Sequence, residues 1–161
     1  MTAGDHQSPS PTSQADRTAT IRRILVGSKR GSPQRTVLIG VALGLFGVTF
    51  LAYELGIFYH SGGVVFVPFH AAVVGLIAAC WTGYRQAGVV TGWGLTYFGF
   101  LGWRAEWATD ISPRPLSERI SYVVQLDGLI VLAIIGVGVA VIGFTVGAIV
   151  RKAINGLRTD P

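Results

Sequence analysis

Four stretches of the chain contain no Asp, Glu, Lys or Arg: residues 36–53, 55–84, 86–103 and 128–150. A helix rises 1.5 Å per residue, so about 20 apolar residues cross the ~30 Å hydrocarbon core of a bilayer. All four stretches are of that order, and charged or turn-forming residues separate them. The pattern predicts an all-α fold, an integral membrane bundle of four transmembrane helices. The spans fall at about 36–57, 64–84, 87–103 and 128–150.

The connections predict the arrangement. His60-Ser61-Gly62-Gly63 is a short turn, which makes the first two spans antiparallel neighbours. Only Arg85 and Gln86 separate the second from the third, a tight hairpin. The one long connection is an outer loop at 104–127, where Pro113 and Pro115 interrupt any helix. After them Ile120, Val123 and Val124 share a face, predicting a helical turn or two at 116–125 lying on the membrane surface. At the other end, residues 1–18 are rich in Ser, Thr, Pro and Gln and are expected to be disordered. Residues 19–35 are basic: either a short interfacial helix or a solvated tail, the two readings being equally weighted. The transmembrane domain occupies 36–152, and 153–161 form a tail.

Half of the 161 residues are hydrophobic and 13% are charged, which leaves little chain for a separate soluble domain. The net charge of +5 acquires meaning from its distribution. With a cytoplasmic N-terminus, Arg17, Arg22, Arg23, Lys29, Arg30, Arg35, Arg85, Arg151, Lys152 and Arg158 all lie inside. Only Arg104, Arg114 and Arg119 then lie outside. The positive-inside rule therefore predicts N-in/C-in topology and a multi-pass protein of the cell membrane. The cations Arg22, Arg23, Lys29 and Arg30 are placed to meet anionic lipid headgroups, each contributing about 1 kcal/mol near the surface. No nucleic-acid partner is implied.

Glycines recur four apart: Gly40 and Gly44 in the first span, Gly88 and Gly92 in the third, Gly143 and Gly147 in the fourth. Lipid supplies no hydrophobic force between helices, so small faces that let backbones approach are a main source of association. Packing inside the bundle is the plainer expectation. A homo-oligomer or another membrane protein is the alternative partner, beside the bilayer itself.

Candidate chemistry is sparse. Glu54 closes the first span, His60 sits in the turn and His70 lies about two turns into the second span. Arg104 and Glu106 follow the third span on the same side, together forming an outward polar cluster. As a pocket, Glu54 would take a proton or cation, His70 would orient or titrate, and Arg104 would supply the counter-charge. Such residues also snorkel to the interface and pair there. No compact ligand spacing such as HxxxH appears, so neither metal nor cofactor is predicted. Thr49, Thr91, Thr96 and Thr145 are expected to satisfy their own backbone carbonyls. Cys80, the single cysteine, reads as a small packing residue. No catalytic motif occurs and no charge lies at mid-membrane depth, so an enzyme is not expected.

Three groups of residues carry a resemblance: Gly83-Tyr84-Arg85-Gln86-Ala87-Gly88, Pro115-Leu116-Ser117-Glu118-Arg119, and Asp127-Gly128 opening the last span. They resemble uncharacterised small multi-pass membrane proteins of halophilic archaea. The resemblance implies a cell-membrane location and no known activity. The functional expectation is a non-enzymatic accessory or scaffold subunit associating through glycine-rich faces. The alternative is a small transporter or channel subunit using the pocket around Glu54 and His70.

Overall fold

The computed structural model describes residues 11–27, 32–59, 68–110 and 115–158. Among them are six helices and no strand: α1 Pro11–Val26, α2 Ser32–Glu54, α3 Phe69–Tyr84, α4 Val89–Asp110, α5 Leu116–Val124 and α6 Leu126–Arg158. Two segments, Thr36–Glu54 and Leu126–Leu157, are long and apolar enough to cross a membrane. α3 is apolar but has 16 residues, and α4 carries Arg104, Glu106 and Asp110 in its second half.

The helix boundaries have local causes. α2 closes with a Schellman motif: Gly56, at φ 69°, donates to the Tyr53 carbonyl, and Ile57 donates to Ala52. α3 starts after an extended Pro68 and closes in the same motif, with Gln86 in the left-handed position at φ 54°. There Gln86 donates to Gly83 and Ala87 to Thr82, which makes the predicted tight hairpin into α4.

Several boundaries differ from the sequence expectation. α4 does not end at Trp103 but continues to Asp110, and α6 begins at Leu126. What the charge pattern marked as an outer loop at 104–127 therefore holds the end of α4 and all of α5. The helix continues because Arg104 and Glu106 are buried against other elements instead of being solvated. α1 begins at Pro11, within the stretch expected to be disordered. Its end lies against the hairpin: a Cβ on Gly27 would strike the Ala87 carbonyl, and one on Gly88 the Val26 backbone.

α4 is the hub, packed against α2, α3 and α6, while α3 also packs along α6. α2 and α3 scarcely touch, although the short turn between them predicted close neighbours. α2 is instead drawn to α4, where Gly102 seats on the Phe46 carbonyl and Gly99 faces the Thr49 hydroxyl.

Small residues form the interior and large aliphatic ones the surface. Ala42, Thr49, Ala52, Ala71, Ala79, Thr82, Thr96 and Ala140 are buried, joined by the larger Leu95, Phe100, Leu132 and Tyr53. Val37, Ile39, Leu43, Val48 and Leu51 of α2 point outward, as do Ile134, Val137, Ile142, Val146 and Ile149 of α6. This is the reverse of a water-soluble helix pair and matches association by close packing in lipid. Polar ties supplement it. Thr96 Oγ1 lies 3.1 Å from the Gly75 carbonyl of α3, and Trp93 Nε1 donates to Ala133 of α6 at 3.0 Å. Interhelical bonds of this kind average about 0.6 kcal/mol. Arg151 of α6 donates to the Tyr84 carbonyl at 3.3 Å, placing a cation at the C-terminus of α3.

Candidate functional site

The candidate residues converge where α2 ends and α3 begins. A stripe on α2, Ala42, Thr49, Ala52 and Tyr53, faces inward and carries Tyr53 into the bundle at 4% exposure. The Tyr53 hydroxyl lies within hydrogen-bonding range of the Ala71 amide. That amide belongs to the first turn of α3, where backbone N–H groups lack intrahelical partners and Pro68 provides no side-chain cap. Tyr53 thus ties the end of one helix to the start of the next.

Around it stands an aromatic box. After the Gly56 turn the chain doubles back and sets the Phe58 ring edge-on to Tyr53, centroids 5.2 Å apart. His70 stacks on Phe58 at 5.0 Å and meets Tyr53 and Phe69 edge-on, at 6.4 and 5.8 Å. Its Nδ1 is buried with no hydrogen-bond partner. Glu106, 3% exposed, approaches from α4 and acts electrostatically on Tyr53.

Arg104 serves a different neighbourhood. Residues two apart on a helix face opposite sides, so Arg104 turns away from Glu106 toward α5 and α6. Its Nε donates to Val123 at 3.1 Å, and Nη2 donates to Tyr122 at 2.7 Å and to Gln125 at 3.4 Å. The guanidinium also lies 4.8 Å from the Tyr122 ring centre, and Gly128 leaves room beside it for Nη1. Tyr122 and Val123 close α5, where a cation meets the negative end of the helix dipole. The Tyr122 and Gln125 carbonyls also accept from the backbone amides of Gln125 and Leu129.

The predicted cluster is therefore divided. His70 packs against Tyr53, and Glu106 is buried on α4 near enough to act on Tyr53 electrostatically. Glu54 is exposed, turned away because a helix rotates about 100° per residue and Tyr53 occupies the inward position. Arg104 is buried on the far side of α4. His60 lies outside the described residues, as do Lys29 and Arg30. Tyr53 and Phe58 were not among the predicted residues, although the small-residue stripe on α2 points to the first of them. Among the described residues no group of three or more His, Cys, Asp or Glu side chains is placed to hold a metal ion.

The glycine pairs also separate. Gly143 and Gly147 of α6 lie on the backbone of Leu76 and Cys80 in α3, and Gly83 meets the Phe144 backbone from the other side. Gly92 packs on Thr82 and Ala79, whereas Gly88, at φ 90°, serves the α1 junction. Gly40 and Gly44 face open space. The threonines divide as well: Thr91, Thr96 and Thr145 bond to carbonyls four residues earlier, but buried Thr49 Oγ1 has no partner.

Comparison of the chain with family models, with curated proteins and with solved structures returns no match.

Proposed function

We propose that this protein is a non-enzymatic, four-span subunit of the cell membrane, N-in/C-in, that associates with a second membrane chain through α2. The observation that carries this reading is the fate of the glycine faces. Of the glycines spaced four apart, Gly143 and Gly147 of α6 and Gly92 of α4 are occupied within the bundle, while both members of the pair Gly40 and Gly44 on peripheral α2 are exposed with nothing opposite them. A small-xxx-small face flanked by outward Val37, Ile39, Leu43 and Val48 is suited to another helix in lipid. The full-length chain in mild detergent should run as an oligomer or with a co-purifying membrane protein. Gly40→Leu and Gly44→Leu should dissociate that assembly without unfolding the bundle. A wild-type chain that is strictly monomeric and partnerless would refute the proposal.

The transporter alternative has less support. Glu54, its principal carboxylate, is exposed, and α3 and α6 meet backbone to backbone with no space between them at Gly83, Gly143 and Gly147.

A further inference from the structure

Because α2 and α3 both lean on α4 without closing on each other, a groove remains between them. Its walls are Val41 and Leu45 from α2 and Val74, Ile77, Ala78 and Trp81 from α3, with Leu95 of α4 as its floor. Its volume is about 460 Å³, within the ~300–1,000 Å³ typical of ligand sites. Every lining side chain is apolar apart from the indole N–H of Trp81.

The mouth of the groove is different. Arg85, exposed one turn beyond Trp81, holds its guanidinium 5.3 Å from the Trp81 ring centre. The hairpin that carries Arg85 is the one on which α1 docks, bringing exposed Arg22 and Arg23 to the same end of the bundle. Arg151, bonded to the Tyr84 carbonyl, adds a further cation there. From Val74 to Arg85 the helical rise is roughly 16 Å. That is close to the ~15 Å hydrocarbon depth of one leaflet.

From this geometry we infer that the α2–α3 groove binds one acyl chain of an anionic phospholipid, with the headgroup phosphate held by Arg85 and its neighbouring cations. The apolar walls match the chain, the length matches a leaflet, and the charge at the mouth matches the headgroup. The inference rests on the bilayer placement proposed above. It does not depend on the Gly40–Gly44 face, since Val41 and Leu45 are each rotated about 100° from the adjacent glycine.

The test uses the full chain, delipidated in mild detergent, with native mass spectrometry and thermal unfolding as readouts. Dioleoyl phosphatidylglycerol, dioleoyl phosphatidylcholine and inorganic phosphate are added separately. Phosphatidylglycerol should be retained as a discrete single adduct and raise the unfolding midpoint, whereas the other two should do neither. Arg85→Gln should weaken that retention about five-fold, the equivalent of one headgroup cation at ~1 kcal/mol. Ala78→Phe and Leu45→Trp, which fill the groove from opposite walls, should abolish the adduct. Ile134→Phe, on the outward face of α6, should preserve it. Equal retention of phosphatidylcholine would mean ordinary boundary lipid and overturn the inference. A full response to inorganic phosphate, or an adduct unchanged in a folded groove-filling variant, would also overturn it. Oligomeric state is measured on the same samples, so lost lipid binding with the assembly intact sinks this inference alone. A monomer that still retains phosphatidylglycerol sinks only the association reading.

Discussion

Adding a single methyl group at Gly143 or Gly147 should pry α6 from α3, and the geometry gives the scale. An ideal Cβ at Gly143 would stand 2.7 Å from the Leu76 carbonyl oxygen and 2.8 Å from the Ala79 Cβ. Ordinary contact begins at 3.4 Å, so α6 must retreat about 0.7 Å at that point. At Gly147 the obstacle is the Cys80 carbonyl, closer still, and neither obstacle is a side chain that can rotate aside. Overpacking of this kind costs about 1–3 kcal/mol, and rigid backbone obstacles place Gly143→Ala and Gly147→Ala in the upper half of that range. The double variant should cost less than the sum, because one displacement of α6 relieves both clashes. Gly40→Ala is the control: a Cβ there meets open space. It should therefore leave stability unchanged or raise it by up to about 1 kcal/mol, alanine being the better helix former. Unfolding in mixed micelles, titrated with SDS and followed by circular dichroism, measures all four variants. The reasoning fails if Gly143→Ala and Gly147→Ala unfold with the wild type, or if Gly40→Ala is the most damaging of the set.

Other expectations follow from the same contacts. Arg104→Gln strips the α5 carbonyls of a charged donor, and with hydrogen bonds to charged groups worth about 1.5–3 kcal/mol each it should cost at least 2 kcal/mol. Hydrogen exchange of 116–124 should then accelerate selectively, and Arg104→Lys should not restore protection, because an ammonium lacks the planar fork. Thr49→Val removes a buried hydroxyl that has no partner and keeps its shape. It should stabilise by about 1 kcal/mol in the SDS titration, and a loss would reveal a partner for that hydroxyl. Glu54→Gln, at an exposed position, should change stability by less than about 0.5 kcal/mol. A loss beyond 2 kcal/mol would return Glu54 to the site.

Charge-free runs identified the main helices because apolarity is continuous along a lipid-facing element and any window can detect it. The errors arose where the deciding partner is distant in sequence. Arg104 looked like the first residue of a loop, yet its acceptors are 18, 19 and 21 residues away, beyond any local window. A charge ends a helix only when nothing folded can receive it, and here α5 supplies the acceptors. Glu54 drew attention for its charge, but on a helix the neighbour of an inward Tyr53 must face elsewhere. The legible signal was the small-residue stripe Ala42, Thr49, Ala52 and Tyr53, which identifies the inward face without reference to charge. The glycine pairs make the same point more sharply. Gly40 and Gly44 have the same spacing as Gly143 and Gly147, and nothing local in the sequence distinguishes them. The difference comes from topology: α6 packs along α3 through Gly143 and Gly147, whereas α2 meets the bundle along its Ala42, Thr49, Ala52 and Tyr53 stripe, which leaves Gly40 and Gly44 on another side. A helix bound along one narrow stripe has its other small face left over once the bundle has closed. That leftover face, rather than the polar cluster, is what the proposed association through α2 rests on.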